Sequence, residues 1–487
     1  MPVFPGESSD RLMRVVWSGD PHDAATRIEA LDRALSAMRA DIVIPNYLPE
    51  AFAASLLGRA HGRRTLGVCH SRDAWYLELF ENAGPALDGA WAVSDECRRL
   101  IATTLSDDAL TLSAPYGTRI PATAPALAPI SGSTSPIRLL YLGRLDSMQK
   151  RVSRLVAVVA SLETLGVPFT LTIAGDGPER PVLERAFRGN DHVRMLGAVD
   201  ASKTPRLLEE SHCLVLVSAY EGTPLAAVEA LALGRPLLIT DGCGGVCDAV
   251  REHECGIVVA QRDPEAMAQA IARLARDPRL LGTMAHNAYV CAKERFDFDT
   301  HATRLDSFVD TLLMRETVVE RKHWESLVAC AGLAAKRGRD DLPADALERY
   351  RYRLDPNGRL GDMRGVRARP RMGERLLRDA IDELSDLGAS RIGIFPAGRH
   401  SERVGSVAEG DSRIVCFIDE APCVEVLYDK PVRTPGDALE RGLDAVVISS
   451  DQYEGILEDR ARAWAGERPV RTLYVPIRIA MDERARS

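Results

Sequence analysis

The chain has 487 residues, more than one hydrophobic core accommodates, so two to four domains are expected. Its 62 basic and 70 acidic residues give a net charge of −8 with no basic stripe, which argues against nucleic acid as a partner. The start is short and polar and no long apolar run follows, so a cytoplasmic protein without a membrane span is expected, one still able to touch a membrane surface.

Apolar runs alternate with helical stretches along the whole chain, which predicts α/β layers around parallel sheets. The first block, residues 1–122, carries strand patterns at 13–17, 42–45, 66–70 and 90–93. Residues 121–136 (PATAPALAPISGSTSP) have linker composition. The second block, 137–313, has strands at 137–143, 169–175, 193–196, 214–218 and 236–240, with helices at 152–165, after Pro178 and from Pro224. That rhythm makes a doubly wound domain. Residues 314–372 read as a helical, charged linker. The third block, 373–481, holds a helix at 374–387 and strands at 391–395, 413–418 and 445–449, a small Rossmann-like unit.

The chemistry concentrates in residues 221–234 (EGTPLAAVEALALG). Thr223 suits an N-cap, Pro224 the first helical position and Gly234 the C-terminal stop, which bounds a helix of about ten residues. The helix follows a strand closely, so its free N–H groups emerge at the carboxyl edge of the sheet. Open α/β sheets bind ligands there, and helix N-termini favour phosphate. Glu221 lies in the loop before the helix and Glu229 inside it. Other strand ends are equipped too. Arg144, in Gly143-Arg144-Leu145, and then Lys150-Arg151 place cations where they offset phosphate charge. Gly175-Asp176-Gly177-Pro178 makes a tight turn that lets backbone approach a ligand. Ten cysteines are scattered, Cys243 and Cys247 being the closest pair; they read as reduced thiols, and no metal site is expected.

Taken in order, Gly143-Arg144-Leu145 with Lys150, Ala174 to Pro178, Glu221-x7-Glu229, Gly234-x-Pro236 and Gly244-Gly245 resemble the donor-binding domain of glycosyltransferase family 4. Those are retaining enzymes of the GT-B fold, and the likeness covers residues 137–313. It implies that Arg144 and Lys150 hold the donor diphosphate and stabilise it as it leaves. Glu229 would bind the ribose hydroxyls and Glu221 the transferred sugar. Gly143, Gly175, Asp176, Gly177, Gly222, Thr223, Pro224, Leu225 and Ala226 would complete the nucleotide-sugar site. One departure is Arg151, where many relatives have glycine. The first block is similar to the acceptor-side domain at 41–46, 91–96 and 114–118, with His70 at a strand end facing the cleft, either a catalytic group or a structural histidine. The opening strand with its Gly-rich loop is missing, so this domain is expected to be shortened. The implied fold is a GT-B-like pair of Rossmann-type domains plus a third small one.

The implied activity is retaining, metal-independent transfer of a hexosyl group from a UDP-, GDP- or ADP-linked sugar to a glycan, lipid-linked or small-molecule acceptor, with no further cofactor. The alternative is a nucleotide-sugar-binding protein without transfer activity. A glycogen-phosphorylase-like enzyme would need a pyridoxal phosphate lysine, and no segment resembles that site. In the third block, residues 391–401 (RIGIFPAGRHS) are similar to the GxGxxG-like turn of nucleotide-binding Rossmann units. Pro396 and Ser401 depart from it, and Asp419 stands where a ribose-binding carboxylate would. A regulatory or assembly module is expected there rather than a dinucleotide site.

Overall fold

A computed structural model describes residues 23–130, 135–261, 263–335, 344–354, 372–450 and 454–473. The strand pattern at 13–17 lies outside them. Three sheets organise the chain. The first contains β1 (Ile42–Val43), β2 (Arg64–Cys69), β3 (Gly89–Ala92) and β4 (Leu110–Ser113), paired in chain order and all parallel. β4 has no counterpart in the sequence reading because Leu-Thr-Leu-Ser is a partly exposed edge, with no apolar run to announce it.

The second sheet is built from β5 (Ile137–Leu142), β6 (Phe169–Ala174), β7 (Val193–Gly197), β8 (Cys213–Leu216), β9 (Leu237–Thr240) and β10 (Gly256–Val259). Its order is β10-β9-β8-β5-β6-β7, with every pair parallel. β8 and β9 read as unbroken apolar runs because helices cover both faces, and every one of their residues is buried. The chain winds one way from β5 to β7 and the other way from β8, so a crevice opens between β5 and β8 at their carboxyl ends.

The third sheet comprises β11 (Ile392–Phe395), β12 (Ile414–Ile418), β13 (Val426–Leu427), β14 (Lys430–Arg433), β15 (Ala445–Ile448) and β16 (Val470–Thr472). Its order is β13-β14-β12-β11-β15-β16, parallel except for the β13-β14 pair. The helix Met372–Asp386 joins it to the first domain: Leu377, Ile381 and Leu384 share one buried cluster with Leu77 and Leu100. No helix among the described residues is long and apolar enough to cross a membrane.

Two stretches read as linkers are something else. Helix Arg321–Ala334 buries Trp324, Leu327, Val328, Cys330 and Ala331 in the core of the first domain, beside Phe52, Leu56 and Phe80. From Ser326 on, its small residues let it be buried all round, which removes the one-sided pattern that marks a surface helix. Helix Ala344–Leu354 adds Tyr350 and Leu354 to the same core. The stretch 121–130 is pinned to the donor-side domain. Tyr289 Oη donates to the Pro121 carbonyl at 2.6 Å, and Leu127 and Ile130 pack on the core.

His212 supplies another pin. Its Nδ1 accepts the Arg138 N–H at 2.8 Å, and its Nε2 faces the Ala128 carbonyl at 3.1 Å. That pattern needs the neutral ring, since a proton on Nδ1 would meet a second donor. Burial, helped by Arg138, lowers its pKa to about 4. His323, whose Nδ1 accepts the Glu320 N–H at 2.9 Å, is lowered to about 3 by burial and by Arg59. A folded pKa below the unfolded one means that protonation favours unfolding. Stability should therefore be whole above about pH 6.5 and fall as pH drops toward 4, by about 2 kcal/mol per histidine at about pH 4.5. Urea unfolding across that range checks this, and a flat profile would refute it.

Candidate active site

The crevice between β5 and β8 is where the cations sit. Past β5, Asp146 shapes the loop: its Oδ1 accepts the N–H groups of Met148 (3.2 Å), Gln149 (2.8 Å) and Lys150 (3.0 Å). Past β8, the Ala219 N–H donates to the Gln149 carbonyl at 2.7 Å, tying the two loops together. Lys150 Nζ lies 2.5 Å from Glu221 Oε1. Ser218 Oγ donates to the same oxygen at 2.8 Å, and Gln149 Nε2 to Oε2 at 3.0 Å. Glu221 is 5% exposed, so three donors neutralise a carboxylate that burial would otherwise penalise. Arg144 reaches the same cluster through Gln149 Oε1 at 2.6 Å, with its side chain 70% exposed at the mouth of the crevice.

Sequence reading paired Arg144 with Lys150 but missed Ser218, Gln149 and Asp146. The available signal was Asp146 three and four residues ahead of Gln149 and Lys150, the spacing at which a carboxylate caps a loop.

At the end of β6, Gly175 and Gly177 serve the backbone. A Cβ on Gly175 would stand 1.8 Å from the Gly143 carbonyl oxygen, so the turns after β5 and β6 touch main chain to main chain. The Asp176 carboxylate is used within its own turn, accepting the Gly177 N–H at 2.8 Å and pairing with Arg180 at 3.0 Å. It is not brought to the Lys150 cluster.

The helix after β8 runs Leu225–Ala232, eight residues rather than about ten, with Pro224 at the N-cap and not at the first helical position. Thr223 does not cap it. Its hydroxyl donates instead across the domain boundary to the Val93 carbonyl at 2.6 Å. The first intrahelical bonds run from Ala227 and Val228 to the Pro224 carbonyl, so the N–H groups of Leu225 and Ala226 precede them and point out of the helix end. Glu229 is half-buried, with its carboxyl raised by burial and no hydrogen-bond or ionic partner among the described residues. Gly234 ends the helix in the left-handed conformation, φ 67°.

The two domains meet at this loop. A Cβ on Gly222 would lie 2.0 Å from the His70 carbonyl oxygen, and one on Gly245 2.7 Å from Ser94 Cβ. His70 is therefore beside the crevice, as expected, but both ring nitrogens are engaged, by the Tyr116 hydroxyl and by Asn46 Oδ1. Burial lowers its pKa to about 4, which leaves the ring neutral at physiological pH. In this arrangement the ring bridges two loops, which fits the structural one of its two expected readings. Among the described residues, no group of three or more His, Cys, Asp or Glu is placed to hold a metal.

Arg151 adopts φ 46°, the left-handed region that glycine enters without strain. That is the physical content of the departure from glycine at this position. Arg151→Gly is expected to stay within about 1 kcal/mol of the parent, because relief of strain offsets the extra entropy of the unfolded chain. Arg151→Val, β-branched in the same conformation, should lose about 2 kcal/mol. Urea denaturation of the pair decides it; equal stabilities would refute the strain.

Residues 128–290 match the family described as glycosyl transferases group 1. The chain is 35% identical over 173 residues to a glycogen synthase of Mycobacterium tuberculosis, an alignment covering 35% of this chain and 41% of that protein. It thus spans about two fifths of that relative's length. Sucrose-phosphate synthase from Thermosynechococcus elongatus superimposes with a TM-score of 0.51 at 21% identity, covering 58% of this chain and 77% of that one. HepE of Anabaena in complex with UDP-glucose gives 0.50 at 18% identity, covering 58% and 82%. The two parallel sheets, the second of them doubly wound, are those of a GT-B-like fold with a third Rossmann-like domain attached, and residues 128–290 match the glycosyl transferases group 1 family.

Proposed function

We propose that the chain is a glycosyltransferase that moves a sugar from a nucleoside-diphosphate sugar to an acceptor hydroxyl, with retention at the anomeric carbon and without a metal. The observation that carries this is the Lys150–Glu221 pair at 2.5 Å, linked through Gln149 to Arg144, at the switch point of a doubly wound sheet. The binding of UDP-glucose by HepE supports the choice of donor class.

The chemistry asked of the site is electrostatic. As the bond from the anomeric carbon to the diphosphate breaks, the departing oxygen gains negative charge, which Lys150, Arg144 and the Leu225 and Ala226 N–H groups stabilise. Glu221 acts as counter-ion and anchor for Lys150, so a donor phosphate competes with a carboxylate already in place. The acceptor hydroxyl bonds to the anomeric carbon on the face the diphosphate leaves, and its proton passes to a diphosphate oxygen. Glu229, a half-buried carboxylate without a partner among the described residues, suits two ribose hydroxyls.

The test is calorimetric titration of the full chain with UDP-, GDP- and ADP-glucose, followed by slow donor hydrolysis. Binding to none of the three would refute the proposal. Binding with neither hydrolysis nor transfer to an acceptor would favour a nucleotide-sugar-binding protein instead.

A further inference from the structure

Across the loop contact from Glu221, the first domain presents a group of rings that the donor chemistry leaves unused. The Tyr47 ring stacks on His70 at 5.8 Å with planes 8° apart, and tilts against Tyr76 at 4.9 Å. His70 in turn stacks on Tyr116 at 5.9 Å. The His70 carbonyl is the atom that a side chain on Gly222 would strike, so this stack stands one residue from Glu221 along the boundary between domains.

Three features set Tyr47 apart from a core aromatic. It is 51% exposed, where a packing tyrosine would be covered. Its backbone lies in the left-handed region, φ 57°, which bulky residues seldom enter and which strained functional positions do. Beneath it lies the buried Tyr76, whose hydroxyl pairs with Tyr47 itself and so supports the exposed ring from below. Asn46, exposed beside it, spends its carbonyl oxygen on His70 Nε2 and keeps its amide N–H groups.

A flat exposed ring face rimmed by amide donors matches a pyranose, whose ring C–H bonds form an apolar face edged by hydroxyls. A lipid tail would leave those donors unpaired, and a small anion would meet no free cation on the ring.

We propose that Tyr47 is the platform on which a sugar ring of the acceptor stacks, with Asn46 bonding its hydroxyls, so that the acceptor is a carbohydrate. This rests on the function proposed above.

The experiment is saturation-transfer NMR of the full chain with UDP present, using methyl α-glucoside, methyl α-mannoside and methyl β-galactoside as probes. Parent, Tyr47→Phe and Tyr47→Asn are compared; asparagine tolerates the left-handed backbone, so the last variant removes the ring and keeps the fold. Saturation of ring protons in at least one glycoside is expected for the parent and Tyr47→Phe. Tyr47→Asn should weaken it at least tenfold, with UDP affinity and thermal midpoint unchanged. Equal saturation in Tyr47→Asn overturns the role of Tyr47. No saturation by any glycoside in the parent, with UDP bound, overturns the carbohydrate assignment, as does Tyr47-dependent sedimentation with phosphatidylglycerol vesicles. Failure of UDP to bind counts against the donor function instead.

Discussion

Lys150→Ala is expected to slow sugar transfer by about 10²–10³-fold, the loss that follows when one preorganised donor to a developing oxyanion is removed. The substitution also strips Glu221 of its counter-ion and leaves only Ser218 Oγ and Gln149 Nε2 on a carboxylate that is 5% exposed. Breaking a buried pair in this way costs about 3 kcal/mol of stability. Lost transfer by itself therefore does not separate chemistry from misfolding. The double variant Lys150→Ala with Glu221→Gln does, because a neutral amide needs no counter-ion. Its thermal midpoint should recover most of the loss while transfer stays low. Turnover near that of the parent in Lys150→Ala would refute the electrostatic role, and rescue of transfer by Glu221→Gln would show that Lys150 served stability alone.

The second large effect is expected at Arg235. This guanidinium has no exposed surface and holds three main-chain carbonyls: Leu208 (2.9 Å, from Nε), Glu209 (3.2 Å) and Ala126 (3.3 Å). The first two lie at the C-terminal end of helix Thr204–Glu210, and the third lies in the connector between domains. Arg235→Ala should lose about 4 kcal/mol, from unsatisfied carbonyls together with a cavity. Arg235→Lys should recover less than half, since an ammonium lacks the planar fork that reaches three acceptors. Urea midpoints with a common slope measure both. A loss below about 1 kcal/mol in Arg235→Ala would mean that water replaces the guanidinium and that the connector needs no pin.

Legibility from sequence follows periodicity and local chemistry. β8 and β9 were readable as buried apolar runs, and β5 and β6 as apolar stretches broken only by Arg138, Thr170 and Thr172 and ended by glycine. The resemblance placed Lys150 and Glu221 at one site, and the loop geometry joins them. What escaped was long-range. Thr223 looks like a cap because its neighbours are helical, yet its hydroxyl is taken by Val93, 130 residues away. Ser218 is unremarkable until the fold brings it to Glu221. The first-domain role of helix Arg321–Ala334 was hidden because a helix buried on every side from Ser326 on carries no stripe. Arg151 was visible as an oddity, and only a backbone angle explains it.

That helix also bears on the order in which the chain is built. The donor-side domain is one continuous stretch with its own core, so it closes once the helices that carry Ile271, Met284 and Cys291 have left the ribosome. The first domain begins earlier in synthesis but includes Trp324, Leu327 and Val328 in its interior. Its nascent form must wait, with Phe52, Leu56 and Phe80 incompletely covered, until some two hundred further residues have been made. A protein whose first-made domain closes only after its second exposes apolar surface during translation, and it is in that interval that chaperones would find it.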